Sequence, residues 1–238
     1  KKNINVKTIM NEASNTHWIP LSDLMMGLMM VFLLLATLYM LRVEQTTTLI
    51  IKEYEITRKN LKMALQDEFS ENFKEWNAEL LGDMTIRFRN PDVLFSVGSD
   101  KLKPKFATIL DDFIPRYVEI LTSGRFKESI KEIRVEGHTS TFWTTATTKL
   151  DAYFKNMELS QARTRSTLER ILKSNVATAH EEWLKKRLTA NGLSSSQPIV
   201  GKDGIIDEKA SQRVEFRIVT NADENISKIA NALDKDED

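Results

Sequence analysis

The sequence has no cysteine and is poor in histidine, glycine and proline. The lack of cysteine excludes thiol catalysis, cysteine zinc sites and a disulfide framework. The 3 histidines, at positions 17, 138 and 180, show no metal-ligand spacing. With 8 glycines and no glycine-rich phosphate loop, a nucleotide-dependent enzyme is not supported. No paired acids or nucleophile–base set is visible, so we expect neither enzymatic activity nor a bound cofactor.

The charges are balanced, with 34 Lys and Arg residues against 34 Asp and Glu residues. No excess of positive charge indicates nucleic acid as a partner. A length of 238 residues suffices for one sizeable domain with additional segments, or for two small domains. The apolar residues make up 41% of the chain, and their uneven distribution is informative.

Residues 24–41 read LMMGLMMVFLLLATLYML and contain no charge. At 1.5 Å per residue this run covers roughly 27 Å, and residues 18–22 complete a membrane span. Trp18 and Tyr39 lie near its two ends, where amphipathic rings prefer to sit. We therefore predict one transmembrane helix over residues 18–41.

Three lysines precede this helix (Lys1, Lys2 and Lys7), opposed by Glu12 alone. The positive-inside rule then predicts a cytoplasmic N-terminus and a chain that continues outside the membrane. A cleaved signal peptide is the first alternative, but the apolar run is long and residues 36–39 form a poor cleavage site. The second is a buried helix of a soluble protein, for which no other segment is apolar enough to form the surroundings.

Asp23 is a carboxylate inside the predicted membrane helix. At the centre of a membrane helix such a residue costs about 2.5–3.5 kcal/mol, and it usually faces protein or water. Asp23 lies toward the cytoplasmic end, where the cost is smaller, so it can also be an interfacial acid stabilised by the helix dipole. The functional interpretation is an ion-binding carboxylate that is alternately protonated and ionised, or alternately occupied by sodium.

The stretch HWIPLSDLMMGLMMVFLLLATLYML resembles the N-terminal helix of the MotB-like subunits of ion-driven rotary motors. Its Ser-Asp-Leu-Met form is most similar to the B-subunit family of the Zorya anti-phage defence system. The resemblance implies that Asp23 carries the transported H⁺ or Na⁺. It also implies a polytopic MotA-like A subunit as partner, in about five copies around two copies of this chain.

Residues 42–81 contain no proline or glycine and carry apolar residues at spacings of three and four. These residues are Ile51, Tyr54, Leu61, Leu65, Phe69, Phe73, Trp76 and Leu80. The spacing predicts an amphipathic helix that ends at Gly82. We expect this connector (residues 42–82) to pair with a second copy in a homodimer; the alternative is that it packs against the C-terminal domain of its own chain.

Strand and helix patterns alternate after the connector and predict an α/β sandwich with helices over one sheet. The predicted strands are 84–88, 131–137 and 212–219, and the predicted helices are 104–121, 158–172 and 181–188. A threonine-rich loop separates the second strand from the second helix. The acidic tail at residues 222–238 is predicted to be a short helix followed by disorder.

Four landmarks in this region resemble the OmpA-like peptidoglycan-binding domain, in the order found in that family. They are LFSVGSDKLKP (94–104), IRVEGHTS (133–140), NMELSQARTRSTLERIL (156–172) and QRVEFRIV (212–219). The third is the most specific. The implied organisation is a cytoplasmic N-terminus (1–17), a transmembrane helix (18–41), a connector (42–82), an OmpA-like domain (83–221) and a tail (222–238).

The resemblance implies a pocket for the zwitterionic diaminopimelate of peptidoglycan. Arg163 matches the arginine of the family, and a planar guanidinium can donate two parallel hydrogen bonds to a carboxylate. Asn156, Leu159 and Thr139 match neighbouring pocket positions, although Leu159 can equally be a core residue. The alternative for Arg163 is a solvated cation on a helix surface.

Ser140 departs from the family, which usually has an aspartate at this position. A hydroxyl can accept a hydrogen bond from the ammonium of the ligand but supplies no charge, so another acid could compensate; Asp151 and Glu158 are nearby in sequence. Arg213 is interpreted as mainly structural. His138 has no second histidine or cysteine near it, which argues against a metal site.

These features predict a stator-type subunit in the bacterial inner membrane, with its C-terminal domain in the periplasm. The subunit would form an ion channel with its partner and anchor the assembly to peptidoglycan, in anti-phage defence. One alternative is a flagellar-type stator B subunit. Another is a passive membrane-anchored tether for the cell wall that transports no ion.

Overall fold

The computed structural model describes residues 18–221, so the predicted cytoplasmic N-terminus and the acidic tail lie outside the described residues. The chain divides into two compact units at Glu53. Helix α1 (Trp18–Trp76) contributes residues to both units.

In the N-terminal unit, the stretch Pro20–Gln45 of α1 is long and apolar enough to cross a membrane, with a mean hydropathy of 2.4. All of these residues are exposed in the single chain. Their apolar side chains therefore require lipid or another protein to cover them. Asp23 is the fourth residue of this stretch.

The C-terminal unit is an α/β domain built on one five-stranded sheet, in the order β1-β2-β5-β3-β4. Its strands are β1 (Ala78–Leu80), β2 (Thr85–Phe88), β3 (Ile130–His138), β4 (Leu188–Gly192) and β5 (Arg213–Thr220). Its helices are α2 (Pro91–Leu94), α3 (Pro104–Thr122), α4 (Lys149–Leu172), α5 (Asn175–Ala179), α6 (Glu181–Arg187) and α7 (Glu208–Ser211). Strands β3 and β4 are parallel, and all other neighbours are antiparallel. The predicted fold class is confirmed.

The core lies on one face of the sheet, because successive side chains of a strand point to opposite faces. Val135 of β3 is opposite Phe216 of β5, and both are fully buried. Phe113 of α3 packs on Phe216 with ring centroids 5.1 Å apart. The opposite face is polar, and there Arg87 of β2 donates a hydrogen bond to Glu215 of β5 at 2.6 Å.

The C-terminal turns of α1 belong to this domain, so this part of the connector follows the alternative that it packs against its own chain. Leu61, Leu65 and Phe69 are fully buried in the domain core. The ring of Phe69 lies 5.1 Å from that of Phe113. Burial of large aromatic side chains is a strong stabilising term, so these turns pack against their own domain rather than present a free stripe. Pairing of the connector in a homodimer stays a prediction.

Three local predictions also differ from the structure. Helix α1 ends at Trp76 rather than Gly82, and Asn77 follows it with a positive φ of 50°. Helix α4 begins at Lys149 rather than residue 158, because the hydroxyl of Thr148 accepts a hydrogen bond from the backbone N–H of Asp151 as an N-cap. Strand β4 was not predicted; it is a half-buried edge strand without apolar alternation.

Gly192 of β4 is expected to be the glycine least tolerant of substitution. A Cβ atom there would lie 2.3 Å from the backbone nitrogen of Gln161 on α4. Because the obstacle is backbone, Gly192→Ala should destabilise the domain by about 1–3 kcal/mol, an effect typical of overpacking. Thermal unfolding of the full chain in detergent measures this. Gly124→Ala is the control, since no atom lies within 4 Å of its added Cβ, and a melting temperature equal in both variants would contradict the close packing.

Candidate functional site

A cavity of about 720 Å³ opens at the C-terminal end of β3. Four segments line it: α2 with the loop after it, the end of β3 with its following loop, one face of α4, and α7 with the start of β5. All five residues predicted to bind peptidoglycan line this cavity: Thr139, Ser140, Asn156, Leu159 and Arg163. Helix α4 places three of them on one face because positions separated by three and four residues are neighbours on a helix.

Arg163 is a buried cation of the cavity. Its Nε donates to the backbone oxygen of Ser99 at 3.0 Å, and its Nη2 donates to that of Ser96 at 3.1 Å. The guanidinium carbon lies 5.0 Å from the centre of the Phe95 ring. Burial lowers the pKa of Arg163 to about 10, opposed by the nearby charge of Asp100, so the group is still cationic at neutral pH.

Only two of the donor nitrogens of Arg163 are used in this way. Nη1 makes no hydrogen bond to any residue of 18–221, which leaves it free to bind an anionic group in the cavity. Arg163 thus both holds the loop at residues 95–102 and retains a charged donor. The alternative of a solvated surface cation is wrong, because only 9% of the residue is exposed.

Three polar side chains line the same cavity as Arg163. The hydroxyl of Thr139 is buried and has no hydrogen-bond partner within the described chain. The Ser140 hydroxyl makes a long contact of 3.4 Å to the backbone oxygen of Phe142, and the amide of Asn156 donates to the same oxygen at 3.3 Å. Leu159 is half-buried and supplies an apolar wall. The Thr139 hydroxyl is therefore available to a ligand, since buried polar groups normally have a partner.

The acids of the cavity differ from those expected near Ser140. Asp151 accepts a hydrogen bond from the backbone of Thr147 and pairs with Lys155, both at 3.0 Å. Neither it nor Glu158 lines the cavity, so that expectation is corrected. The acids that do line it are Asp92 of α2 and Glu208 of α7. Sequence reasoning missed both because neither lies within the four landmarks, and Glu208 meets the pocket only through the tertiary fold.

A buried polar cluster lies beside the cavity on the sheet. Glu136, His138 and Glu215 bring their ligand-type atoms within 4.8 Å of one another. Two arginines already neutralise it, since the Nε atoms of Arg87 and Arg213 each lie 2.6 Å from Glu215. Positive charges in these positions disfavour a metal ion, so the cluster is explained as an internal ion-pair network.

Burial alone would raise the pKa of Glu215, but the neighbouring His138 and Arg213 hold it well below its usual range. The Nε2 of His138 lies 3.6 Å from Glu215, too far for a well-formed hydrogen bond, so this contact is mainly electrostatic. Arg213 also donates to the backbone oxygens of Gln197 and Ser211. These contacts agree with the mainly structural role expected for Arg213.

Asp23 lies on α1 in the N-terminal unit and is exposed in the single chain. Within the described residues it is the acid that interrupts the apolar stretch before Glu44. A carboxylate here needs a polar partner or water if the stretch is in a membrane.

The comparisons with known proteins agree with both resemblances. The chain is 45% identical over 226 residues to the Zorya protein ZorB of Escherichia coli, a match that covers 92% of this chain and 94% of that protein. A MotB-like protein from Desulfovibrio vulgaris shares the fold, with a TM-score of 0.52 at 21% identity, over 71% of this chain and 94% of that one. The OmpA family profile matches residues 94–213, a range that includes all five residues predicted to bind peptidoglycan. The chain therefore belongs to the ZorB family of Zorya proteins, and its C-terminal domain belongs to the OmpA family.

Proposed function

We propose that this chain is the stator-type B subunit of an ion-driven motor that acts in anti-phage defence. It would cross the inner membrane once, with a cytoplasmic N-terminus and a periplasmic C-terminal domain. One observation carries the proposal: the same chain combines a carboxylate in a membrane-length helix with an OmpA-family domain whose five expected ligand residues line one cavity. No enzymatic step or bound cofactor is needed.

The wall-binding half follows from the charges of the cavity. Arg163 is buried and cationic, and its unused donor suits a carboxylate of diaminopimelate. The unpartnered Thr139 hydroxyl and the Asn156 amide can orient the rest of the ligand. A pre-formed site of this kind loses little entropy on binding, which favours a firm hold on peptidoglycan.

The ion-carrying half requires a partner protein. One helix cannot enclose an ion path, and the stretch Pro20–Gln45 is uncovered in the single chain. A polytopic MotA-like subunit would cover it and provide the polar surroundings that Asp23 needs. Binding and release of H⁺ or Na⁺ at Asp23 would then drive rotation of the partner ring around a wall-anchored pair of these chains.

Two assays on the full chain in detergent test the proposal. The chain should sediment with purified peptidoglycan sacculi, and it should co-purify with the product of a neighbouring A-type gene when both are expressed. A chain that binds sacculi but never captures such a partner would be a passive tether. A flagellar-type subunit would instead restore motility to cells that lack their own stator B subunit.

A further inference from the structure

Several charged residues around the cavity already have partners. Asp92 lies 2.8 Å from Lys209, and the hydrogen bond and charge of that lysine lower the pKa of Asp92. Lys103 donates to the backbone oxygen of Asp92 at 2.8 Å. Arg213 is paired with Glu215 on the sheet. Among lining residues of the described chain, Glu208 is then the carboxylate that forms no salt bridge, and Arg163 is a buried cation that forms none.

The carboxylate of Glu208 is held by the loop that carries Ser140. Its Oε2 accepts a hydrogen bond from the backbone N–H of Thr141 at 2.7 Å, and its Oε1 accepts one from the Thr141 hydroxyl. Thr141 directly follows Ser140, so the carboxylate lies beside the position where the OmpA-like family usually has aspartate. Each oxygen accepts one hydrogen bond and keeps further acceptor capacity.

We propose that Glu208 binds the ammonium group of the zwitterionic wall peptide and supplies the charge that Ser140 lacks. This inference rests on the proposed function, because it assigns the second half of the same ligand. Arg163 would bind the carboxylate and Glu208 the ammonium, so a cation and an anion of the cavity match the two charges of the ligand. The cavity thereby selects a zwitterion over a peptide end with a carboxylate alone.

The alternative role of Glu208 is only to fasten the loop through Thr141. Glu208→Gln separates the two roles, because the amide oxygen can still accept a hydrogen bond from Thr141 while the charge is lost. A second variant adds Ser140→Asp to Glu208→Gln and returns a carboxylate to the neighbouring position. Glu158→Gln is the matched control, an exposed acid on α4 that does not line the cavity.

The test measures binding of the full chain in detergent to two probes. The first is a stem tripeptide that ends in diaminopimelate, and the second is the same tripeptide with the side-chain ammonium acetylated. Glu208→Gln should weaken binding of the first about tenfold or more, as expected for a charged hydrogen bond, and should equal wild type on the second. The double variant with Glu208→Gln and Ser140→Asp should bind the free tripeptide as wild type does.

Two results would overturn the inference. Unchanged affinity of Glu208→Gln for the free tripeptide, with a clear loss in Arg163→Ala, would refute the role of Glu208 and leave the wall-binding proposal intact. An equal loss on both probes that Ser140→Asp does not restore would show that Glu208 only fastens the loop. If wild type binds neither the free tripeptide nor sacculi, the proposed function fails together with the inference.

Discussion

Asp23→Asn is expected to abolish the ion-driven activity of the assembly while the assembly itself still forms. Asparagine has nearly the shape of aspartate, but it can neither take up and release a proton nor neutralise sodium. It is also less costly in a membrane than an ionised carboxylate, so insertion should not suffer. In phage-challenge assays, plating efficiency on cells with the variant should rise to that on cells without the chain.

Two controls separate loss of chemistry from loss of structure. Co-purification with the A-type partner should be equal for Asp23→Asn and wild type. Ser22→Ala changes the adjacent residue without touching the carboxylate and should retain protection. Full protection by an assembled Asp23→Asn complex would show that Asp23 is an interfacial acid and that the ion-carrying role is wrong.

Arg163→Ala is expected to weaken binding to sacculi by about 10- to 100-fold, the range for loss of a hydrogen bond to a charged group. The substitution removes the buried cation and also frees the backbone oxygens of Ser96 and Ser99 from their donor. Co-sedimentation of the full chain with increasing amounts of sacculi measures the effect. Arg163→Lys should be intermediate, since it keeps a charge but loses the planar set of donors.

Arg165→Ala is the matched control for this loss. Arg165 lies on the same helix, but its side chain is 79% exposed and, within residues 18–221, pairs only with Glu169. Exposed pairs of this kind contribute little, so binding and melting temperature should both stay close to wild type. Equal sedimentation of the two alanine variants would exclude Arg163 from the ligand contacts.

Much of the fold could be predicted because its core elements show strong periodicity. The spacing of apolar residues in α3 predicts residues 104–121, and the structure has Pro104–Thr122. Strand β4 could not be predicted, since LTANG is short, half-buried and without alternation. The apolar stripe of α1 correctly predicts a helix, but sequence alone cannot tell which surface covers a stripe. Its aromatic residues pack on Phe113 of α3 and Phe88 of β2.

The pocket was predictable where residues lie in local motifs and not where they come from distant parts of the chain. Thr139 and Arg163 were placed by motifs, and both line the cavity. Glu208 has no motif of its own, and its position depends on a contact with Thr141 across 67 residues. The serine at position 140, where the family usually has aspartate, is visible in the sequence. The nearby acid, Glu208, can be identified only from the tertiary structure.

The most direct test of the ion-carrying role is ion flux through the purified complex of this chain with its A-type partner in liposomes. We expect an imposed H⁺ or Na⁺ gradient to drive flux in wild type, and the Asp23→Asn complex to remain at the level of empty liposomes. Each protein alone should also remain at that level, because the path needs both. Equal flux through wild-type and Asp23→Asn complexes of the same composition would contradict the role of Asp23.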